Sequence, residues 1–318
     1  MNTEKIKIVF LGNPDISVET LKSLLEEEKI EITLIITNIE KKIGRNKVVS
    51  NSELAKFSNF KKLKILKTEN INNDYIYLKE NFEFDYLLTC AFGQFLSENI
   101  LSLPKKAALN IHASLLPKGR GGAPIHWAVI NGEKETGYSL MRMIKEMDAG
   151  EYFIQHKVKI SKNETYDSLK AKIIKSIKEN IVSDLLKFDQ GKLKGIEQDK
   201  NKISFWKNIK QEDEKIDFNL EAENISNKIM GLNSIPGAYG LINDLNIKLW
   251  TSSFEKNNKK YKNNKFGEIL KIDKNGILIK AKNGLILINE ITIPGKKRNQ
   301  LENIINGKLP FKVGDIFN

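Results

Sequence analysis

An asparagine and a histidine two positions apart are the residues of this sequence best suited to chemistry. Asn110 and His112 fall in an apolar, strand-like run over residues 108–113. Side chains two apart on a strand point to the same face. There an amide can donate to an oxyanion, and an imidazole can do the same or exchange a proton with an attacking nitrogen. The pair is therefore suited to acyl transfer.

Such a histidine needs a carboxylate to orient its ring, and Asp148, in the turn over residues 148–150, can supply one. Each residue taken singly has a structural alternative, since an asparagine can cap a turn and a histidine can satisfy a hydrogen bond in the core. His126 and His156 are left with that alternative, and Cys90 with the role of a small buried residue. One cysteine allows neither an intrachain disulfide nor a cysteine metal site, and we predict that no metal is required.

The elements that position the pair alternate between strand-like and helical patterns. This alternation predicts an α/β fold with a doubly wound, mostly parallel, Rossmann-like sheet. Asn110 and His112 then lie at the carboxyl end of a strand, where open α/β sheets place their active sites. A loop rich in glycine and proline follows from Ser114 to Pro124, and its glycines allow the backbone to approach a ligand closely.

The predicted elements of the first half end in an antiparallel edge pair and a long helix. The predicted strands are 5–11, 32–37, 64–66, 85–89, 108–113, 136–143 and 151–160, and the predicted helices are 17–28, 52–60 and 165–188.

The second half has a different pattern. Residues 191–214 are polar apart from Phe205, Trp206 and Ile209, which is typical of a linker. After a helix at 221–230, short strands alternate with turns such as Asn275-Gly276, which predicts a small β-barrel of the OB type. We therefore predict a catalytic domain over residues 1–190, a linker over 191–214 and an OB-like C-terminal domain over 215–318.

Strings of residues in this central region carry a family resemblance. The chain resembles the folate-dependent formyltransferase superfamily in Asn110-Ile111-His112-Ala113-Ser114-Leu115-Leu116-Pro117, Arg120-Gly121, Ala123-Pro124-Ile125 and Asp148-Ala149-Gly150. Within that superfamily it resembles the methionyl-tRNA formyltransferases in Gly12-Asn13-Pro14-Asp15, Gly44-Arg45, Asn131-Gly132-Glu133-Lys134-Glu135-Thr136-Gly137, Ile216-Asp217-Phe218 and Pro294-Gly295-Lys296-Lys297.

The resemblance implies roles for particular residues. Asn110, His112 and Asp148 take the catalytic positions, and the loop Ser114, Leu115, Leu116 and Pro117 takes the folate-binding position. The implied donor is 10-formyltetrahydrofolate, and the implied acceptor is the α-amine of initiator methionyl-tRNA, for translation initiation. Gly119 and Gly122 depart from the family's usual aromatic residue and alanine, and we expect both to loosen the loop.

The formal net charge of +12 favours an anionic partner. Residues 245–318 carry 15 Lys and Arg against 6 Asp and Glu, so this segment holds +9 of that excess. The resemblance adds a basic loop over residues 38–50 beside the acceptor end of tRNA, with Arg45 and Lys47. We expect tRNA contacts from Arg45, Lys47, Lys296 and Lys297, although a charge run can also be a solvated face.

Other functions remain open on the sequence alone. A sugar-nucleotide N-formyltransferase shares the three catalytic residues but needs no long basic surface. A one-domain glycinamide ribonucleotide formyltransferase is disfavoured by the extra length, and a non-catalytic RNA-binding module has no use for all three residues. No apolar run approaches the length that spans a bilayer, so we expect a cytoplasmic protein without a membrane partner, acting as a monomer.

Overall fold

The structure is a computed structural model that describes residues 4–43, 48–256 and 260–318. Within these residues the chain forms two compact units. The first unit comprises the residues up to Gly122 together with Thr136–Val158 and Ala171–Trp206. The second comprises Ala123–Glu135, Lys159–Lys170 and Lys207–Asn318. Our predicted domain limits at 190 and 214 stay a prediction.

A mostly parallel sheet forms the centre of the first unit. Its strands are β1 (Ile6–Gly12), β2 (Ile30–Asn38), β5 (Ile65–Thr68), β6 (Tyr86–Cys90), β7 (Ala107–His112), β8 (Glu135–Arg142) and β9 (Tyr152–Lys159), in the order β5-β2-β1-β6-β7-β8-β9. The pairings from β5 through β7 are parallel, and β7 pairs with β8 antiparallel. Two short strands, β3 (Lys41–Ile43) and β4 (Val48–Ser50), pair antiparallel as a separate two-stranded sheet.

Continuous apolar runs explain why these strands lie inside the sheet. In β1 the residues Ile8, Val9, Phe10 and Leu11 are all 0% exposed, so both faces of this strand are covered. The covering helices are α1 (Asp15–Leu25), α2 (Glu53–Phe60), α3 (Tyr75–Asn81), α4 (Glu98–Leu101) and α6 (Tyr166–Asp189). The sequence did not predict α3 and α4, which have seven and four residues and offer little periodicity.

The second unit contains an antiparallel sheet. Its strands are β10 (Ala238–Ile242), β11 (Leu245–Lys256), β12 (Ile269–Asp273), β13 (Gly276–Ala281), β14 (Gly284–Thr292) and β15 (Asn299–Gln300), in the order β10-β11-β14-β13-β12 with β15 on β14. The C-terminal tail bonds to both edges of that order. The Asn318 N–H donates to Leu241 O at 2.8 Å, and the Phe317 N–H donates to Gly267 O at 2.9 Å. The tail thus bonds both to the β10 edge and to the segment that leads into β12.

Helices α5 (Pro124–Ile130), α7 (Gln211–Glu214), α8 (Ala222–Gly231) and α9 (Leu301–Ile304) complete the second unit. The packing of α5 on α8 is close. A Cβ added to Gly231 would lie 2.6 Å from Ile130 Cγ1 and 3.0 Å from the Ile130 nitrogen. The predicted fold class, an α/β Rossmann-like sheet followed by a small antiparallel β domain, is confirmed.

Candidate active site

The register between β6 and β7 sets the orientation of Asn110. The two strands are parallel, with Thr89 opposite Asn110. The Thr89 hydroxyl donates to Asn110 Oδ1 at 2.8 Å. Because the amide oxygen already accepts this bond, the other end of the carboxamide is its donor group. A neighbouring strand therefore fixes Asn110 as a hydrogen-bond donor.

His112 is the last residue of β7 and is 6% exposed. Its Nε2 lies 2.8 Å from Gly119 O. A carbonyl oxygen can only accept, so Nε2 carries a hydrogen. Nδ1 lies 3.7 Å from Asp148 Oδ1, which is longer than a hydrogen bond. The carboxylate therefore faces the ring across a gap and acts on it through space, without a direct hydrogen bond.

Asp148 lies in the loop between β8 and β9 and has a φ of +51°. This is the left-handed region, which aspartate and asparagine tolerate better than most residues with a Cβ. Its Oδ2 accepts a hydrogen bond from the Gly121 N–H at 2.8 Å. One carboxylate thus bonds to the glycine-rich loop through Oδ2 and faces His112 through Oδ1. The structure brings His112 and Asp148 together, while the catalytic role of the three residues stays a prediction.

The loop after β7 contains the four residues predicted to bind folate, Ser114, Leu115, Leu116 and Pro117. Ser114 and Leu116 are buried, and Leu115 and Pro117 are half-buried. The Ser114 hydroxyl donates to Lys118 O at 2.7 Å, and the Leu116 N–H donates to Ser139 Oγ at 3.2 Å. Gln155 Nε2 donates to Leu116 O at 2.8 Å. Side chains from β8 and β9 therefore hold the shape of this loop.

A tryptophan packs against the glycine-rich part of the loop. Gly119 has a φ of +79°, and a Cβ added there would lie 2.4 Å from the Trp206 ring. Trp206 is 6% exposed, and its N–H donates to Arg120 O at 2.7 Å. The Arg120 N–H in turn donates to Ser204 O at 2.9 Å. Trp206 therefore occupies the space that a side chain at position 119 would take, and our expectation that Gly119 loosens the loop stays a prediction.

Sequence reasoning missed the neighbours that hold this site. Thr89 carried no signal, because a threonine at a strand end is common. Trp206 did carry one, since a large apolar residue in a polar stretch needs somewhere to bury its surface. Gln198 carried none. It lies in the same stretch, and its Oε1 accepts from Arg120 Nε at 3.0 Å.

Two of the four residues predicted to contact tRNA lie in the described part of the chain. Lys296 and Lys297 are exposed, in the turn between β14 and β15. Arg298 beside them is held in place, because its guanidinium carbon lies 4.6 Å from the centre of the Trp250 ring and its Nη2 bonds to Glu290 at 2.6 Å. Arg45 and Lys47 lie outside the described residues.

The residues left with a structural role have structural partners. His126 Nε2 lies 3.0 Å from Ile235 O, and burial lowers the pKa of this imidazole. His156 Nε2 lies 2.9 Å from Asp184 Oδ2. Burial raises the pKa of the Cys90 thiol to about 11.

Across residues 4–43, 48–256 and 260–318, no group of three or more His, Cys, Asp or Glu side chains is placed to hold a metal ion. Over those ranges, none of the helices combines the length and apolar character needed to cross a membrane.

Two family models match the chain. The model described as formyl transferase matches residues 6–185, and the model described as formyl transferase, C-terminal domain, matches residues 208–309. A methionyl-tRNA formyltransferase from Malacoplasma penetrans is 44% identical over 97% of this chain and 95% of its own length. One from Staphylococcus aureus is 33% identical over 97% of this chain and 98% of its own length.

Solved structures share the fold at lower identity. WlaRD, a sugar 3N-formyltransferase crystallised with dTDP and 5-N-formyl-tetrahydrofolate, has a TM-score of 0.65 at 22% identity, over 93% of this chain and all of its own. HypX from Aquifex aeolicus, crystallised with tetrahydrofolic acid, has a TM-score of 0.64 at 16% identity, over 99% of this chain and 51% of its own.

Proposed function

We propose a function for this chain from the premise that it belongs to the methionyl-tRNA formyltransferase family. The chain transfers a formyl group to the α-amine of initiator methionyl-tRNA, and the donor is 10-formyltetrahydrofolate. The observation that carries the proposal for the site is the His112–Asp148 pair, next to Asn110 at the end of β7, in a chain matched over nearly its whole length by relatives of that name.

The reaction forms one bond to the formyl carbon and breaks another. The amine attacks that carbon, a tetrahedral oxyanion forms, and the bond to the folate nitrogen breaks. The amine loses a proton and the folate nitrogen gains one, so charge and atoms balance. The largest need of such a reaction is a set of fixed donors where the oxyanion develops. Asn110 and His112 supply these donors from one face of one strand.

The hydrogen bond from His112 to Gly119 makes this stabilisation selective. Nε2 donates to a neutral carbonyl at 2.8 Å. An oxyanion is a stronger acceptor than a carbonyl, so it competes for the same hydrogen only once negative charge has developed. The interaction is therefore stronger in the transition state than in the ground state, which is the condition for raising kcat. The Asp148 carboxylate, 3.7 Å from Nδ1, orients the ring electrostatically while Nε2 donates.

We assign the two substrates to different parts of the chain. Folate binds within residues 1–190, against Ser114, Leu115, Leu116 and Pro117. The tRNA backbone contacts the region from residue 215 to 318 through Lys296 and Lys297, and Arg45 and Lys47 approach the acceptor end. The exposure of Lys296 and Lys297 and the +9 charge of residues 245–318 support this assignment. The enzyme works as a cytoplasmic monomer.

The test compares two acceptors on one purified protein. The protein is incubated with 10-formyltetrahydrofolate and either initiator methionyl-tRNA or a dTDP-linked amino sugar, and formylated product is quantified by mass spectrometry. We expect formylmethionyl-tRNA with the higher kcat/KM. A higher kcat/KM for the amino sugar would overturn the acceptor and support the sugar-nucleotide alternative. If no formylated product formed with either acceptor, the assignment as a formyltransferase would be overturned.

A further inference from the structure

The carboxamide of Gln198 holds the turn that carries Asp148. Gln198 Nε2 donates to Asp148 O and to Gly150 O, both at 2.7 Å. The side chain is buried, with 9% of the residue exposed. Two backbone carbonyls of one short turn are thus tied to a single donor group.

The same side chain completes a ring of hydrogen bonds around Asp148. Gln198 Oε1 accepts from Arg120 Nε at 3.0 Å, and Arg120 is 4% exposed. The next residue, Gly121, donates its N–H to Asp148 Oδ2 at 2.8 Å. The ring runs from Gln198 to the Asp148 backbone, through the Asp148 carboxylate to Gly121, and back through Arg120. Moving any member therefore moves the carboxylate.

The backbone that presents Gln198 is anchored on both sides. On the N-terminal side Ile196 exchanges hydrogen bonds with Tyr152 of β9 at 2.9 and 3.1 Å. On the C-terminal side Ser204 and Trp206 bond to the backbone of Arg120 at 2.9 and 2.7 Å. Gln198 is consequently held at a fixed position and can hold Asp148 in turn.

We propose that Gln198 is a positioning residue for the reaction, which fixes the Asp148 carboxylate relative to His112 without touching substrate. The need for it follows from the backbone. Asp148 has a φ of +51°, a conformation that costs free energy for a residue with a Cβ and that persists only where its surroundings hold it. The expected effect of Gln198 on the reaction rate rests on the proposed function. Its expected effect on the His112 ring does not.

The first experiment is a double-mutant cycle with Gln198→Ala, Asp148→Asn and both together, measured as kcat and KM for formyl transfer. Losing the partner that orients a functional side chain costs about 10- to 100-fold in metalloenzymes, so we expect Gln198→Ala to lower kcat by roughly that factor. We expect the KM values for both substrates to stay within about threefold, because the buried carboxamide is already bonded to Asp148, Gly150 and Arg120. In the Asp148→Asn background we expect Gln198→Ala to cost less than about threefold, since the charge that it positions is already gone.

A matched control is Gln155→Ala, which also removes a carboxamide that bonds to a carbonyl of the first unit. Gln155 donates to Leu116 O at 2.8 Å and to Ser139 Oγ at 2.9 Å. Its effect on kcat should be the same with Asp148 and with Asn at that position. The inference would be overturned if Gln198→Ala lowered kcat by the same factor with Asp148 and with Asn at that position, as expected for Gln155→Ala. It would also be overturned if Gln198→Ala left kcat unchanged.

The second experiment needs no substrate and separates this inference from the proposed function. The chain has 3 histidines, so the ring-nitrogen NMR resonances of labelled protein can be assigned by the loss of one signal in His112→Ala. Gln198→Glu keeps the size and the acceptor for Arg120 but turns an oxygen toward two carbonyls. We expect it to shift the His112 resonances and leave those of His126 and His156 in place. Unchanged His112 resonances would overturn the inference even if formyl transfer were shown, and shifted ones would sustain it even if formyl transfer were absent.

Discussion

Three substitutions of Asp148 separate its charge from its backbone conformation. Asp148→Asn keeps an oxygen that can accept from the Gly121 N–H and a side chain that tolerates a φ of +51°. Asp148→Ala loses a hydrogen bond to a charged group, at about 2 kcal/mol. It also places an ordinary Cβ in the left-handed region, at about 1 kcal/mol. Asp148→Gly also loses the hydrogen bond, but a glycine adopts a φ of +51° without the steric cost of a Cβ.

These contributions predict an unusual order of stability. The Ala variant should lose about 3 kcal/mol from the free energy of unfolding. At most helical or extended positions glycine is less stable than alanine by roughly 0.4–1 kcal/mol, but here the cost of about 1 kcal/mol for alanine in the left-handed region offsets that difference, so glycine should be the more stable by up to about 0.6 kcal/mol. That difference corresponds to at most about 2 °C in Tm. The Asn variant should unfold close to the wild type.

Activity should follow a different order. All three variants lack the carboxylate that faces His112 at 3.7 Å, so all three should lose roughly 10²- to 10⁴-fold in kcat regardless of their Tm. Formylation of initiator methionyl-tRNA gives kcat, and thermal unfolding followed by circular dichroism gives Tm. An Asn variant within about threefold of the wild-type kcat would refute the role of the charge. A Gly variant less stable than the Ala variant would refute the backbone argument.

Three other predictions concern the donors, the partner and pH. Asn110→Ala and His112→Ala should each lower kcat by about 10²- to 10³-fold in the same assay while the protein stays folded, and a folded, nearly fully active His112→Ala protein would contradict the mechanism. Replacing Lys296 and Lys297 by Ala should weaken tRNA binding and reduce the slope of log K against log salt by about 1 per lost phosphate contact, with folate binding unchanged as the control; an unchanged slope would remove these lysines from the interface. Burial lowers the pKa of His126 below its ordinary 6.5, so its contribution to the free energy of unfolding should be fully present above pH 6.5 and be lost as the pH falls through the lowered pKa. Denaturant titrations at several pH values should show that the free energy of unfolding falls less with pH in His126→Gln than in the wild type. Equal falls in the two proteins would contradict this prediction.

The sequence was sufficient for features that follow from local patterns. Asn110 and His112 share a face because a strand has a period of two, and that period needs only the strand to be recognised. The burial of Ile8–Leu11 follows from an unbroken apolar run. The family strings added the likeness that the relatives confirm.

Contacts between distant segments could not be predicted in the same way. Thr89 meets Asn110 because β6 and β7 pair in one register, and no pattern in either strand fixes that register. Gly119 O and the Gly121 N–H bond to His112 and Asp148 through the path of an irregular loop. The contact between Trp206 and Gly119 joins residues far apart in sequence. A tryptophan in a polar stretch indicated that its ring would pack against another part of the chain, but not against which residue.

The chain path through the second unit limits how this enzyme could be recombined with its relatives. A chimera joined once, between Trp206 and Lys207, would inherit α5 from one parent and α8 from the other. Gly231 of α8 packs so closely on Ile130 of α5 that not even a methyl group fits between them. The contacting surfaces of the two helices must therefore be complementary, because a single added carbon would clash. A workable transplant would have to carry Ala123–Glu135 and Lys159–Lys170 along with Lys207–Asn318. The unit that can be exchanged as a whole is therefore a discontinuous set of segments, and a chimera with a single crossover would divide it between two parents.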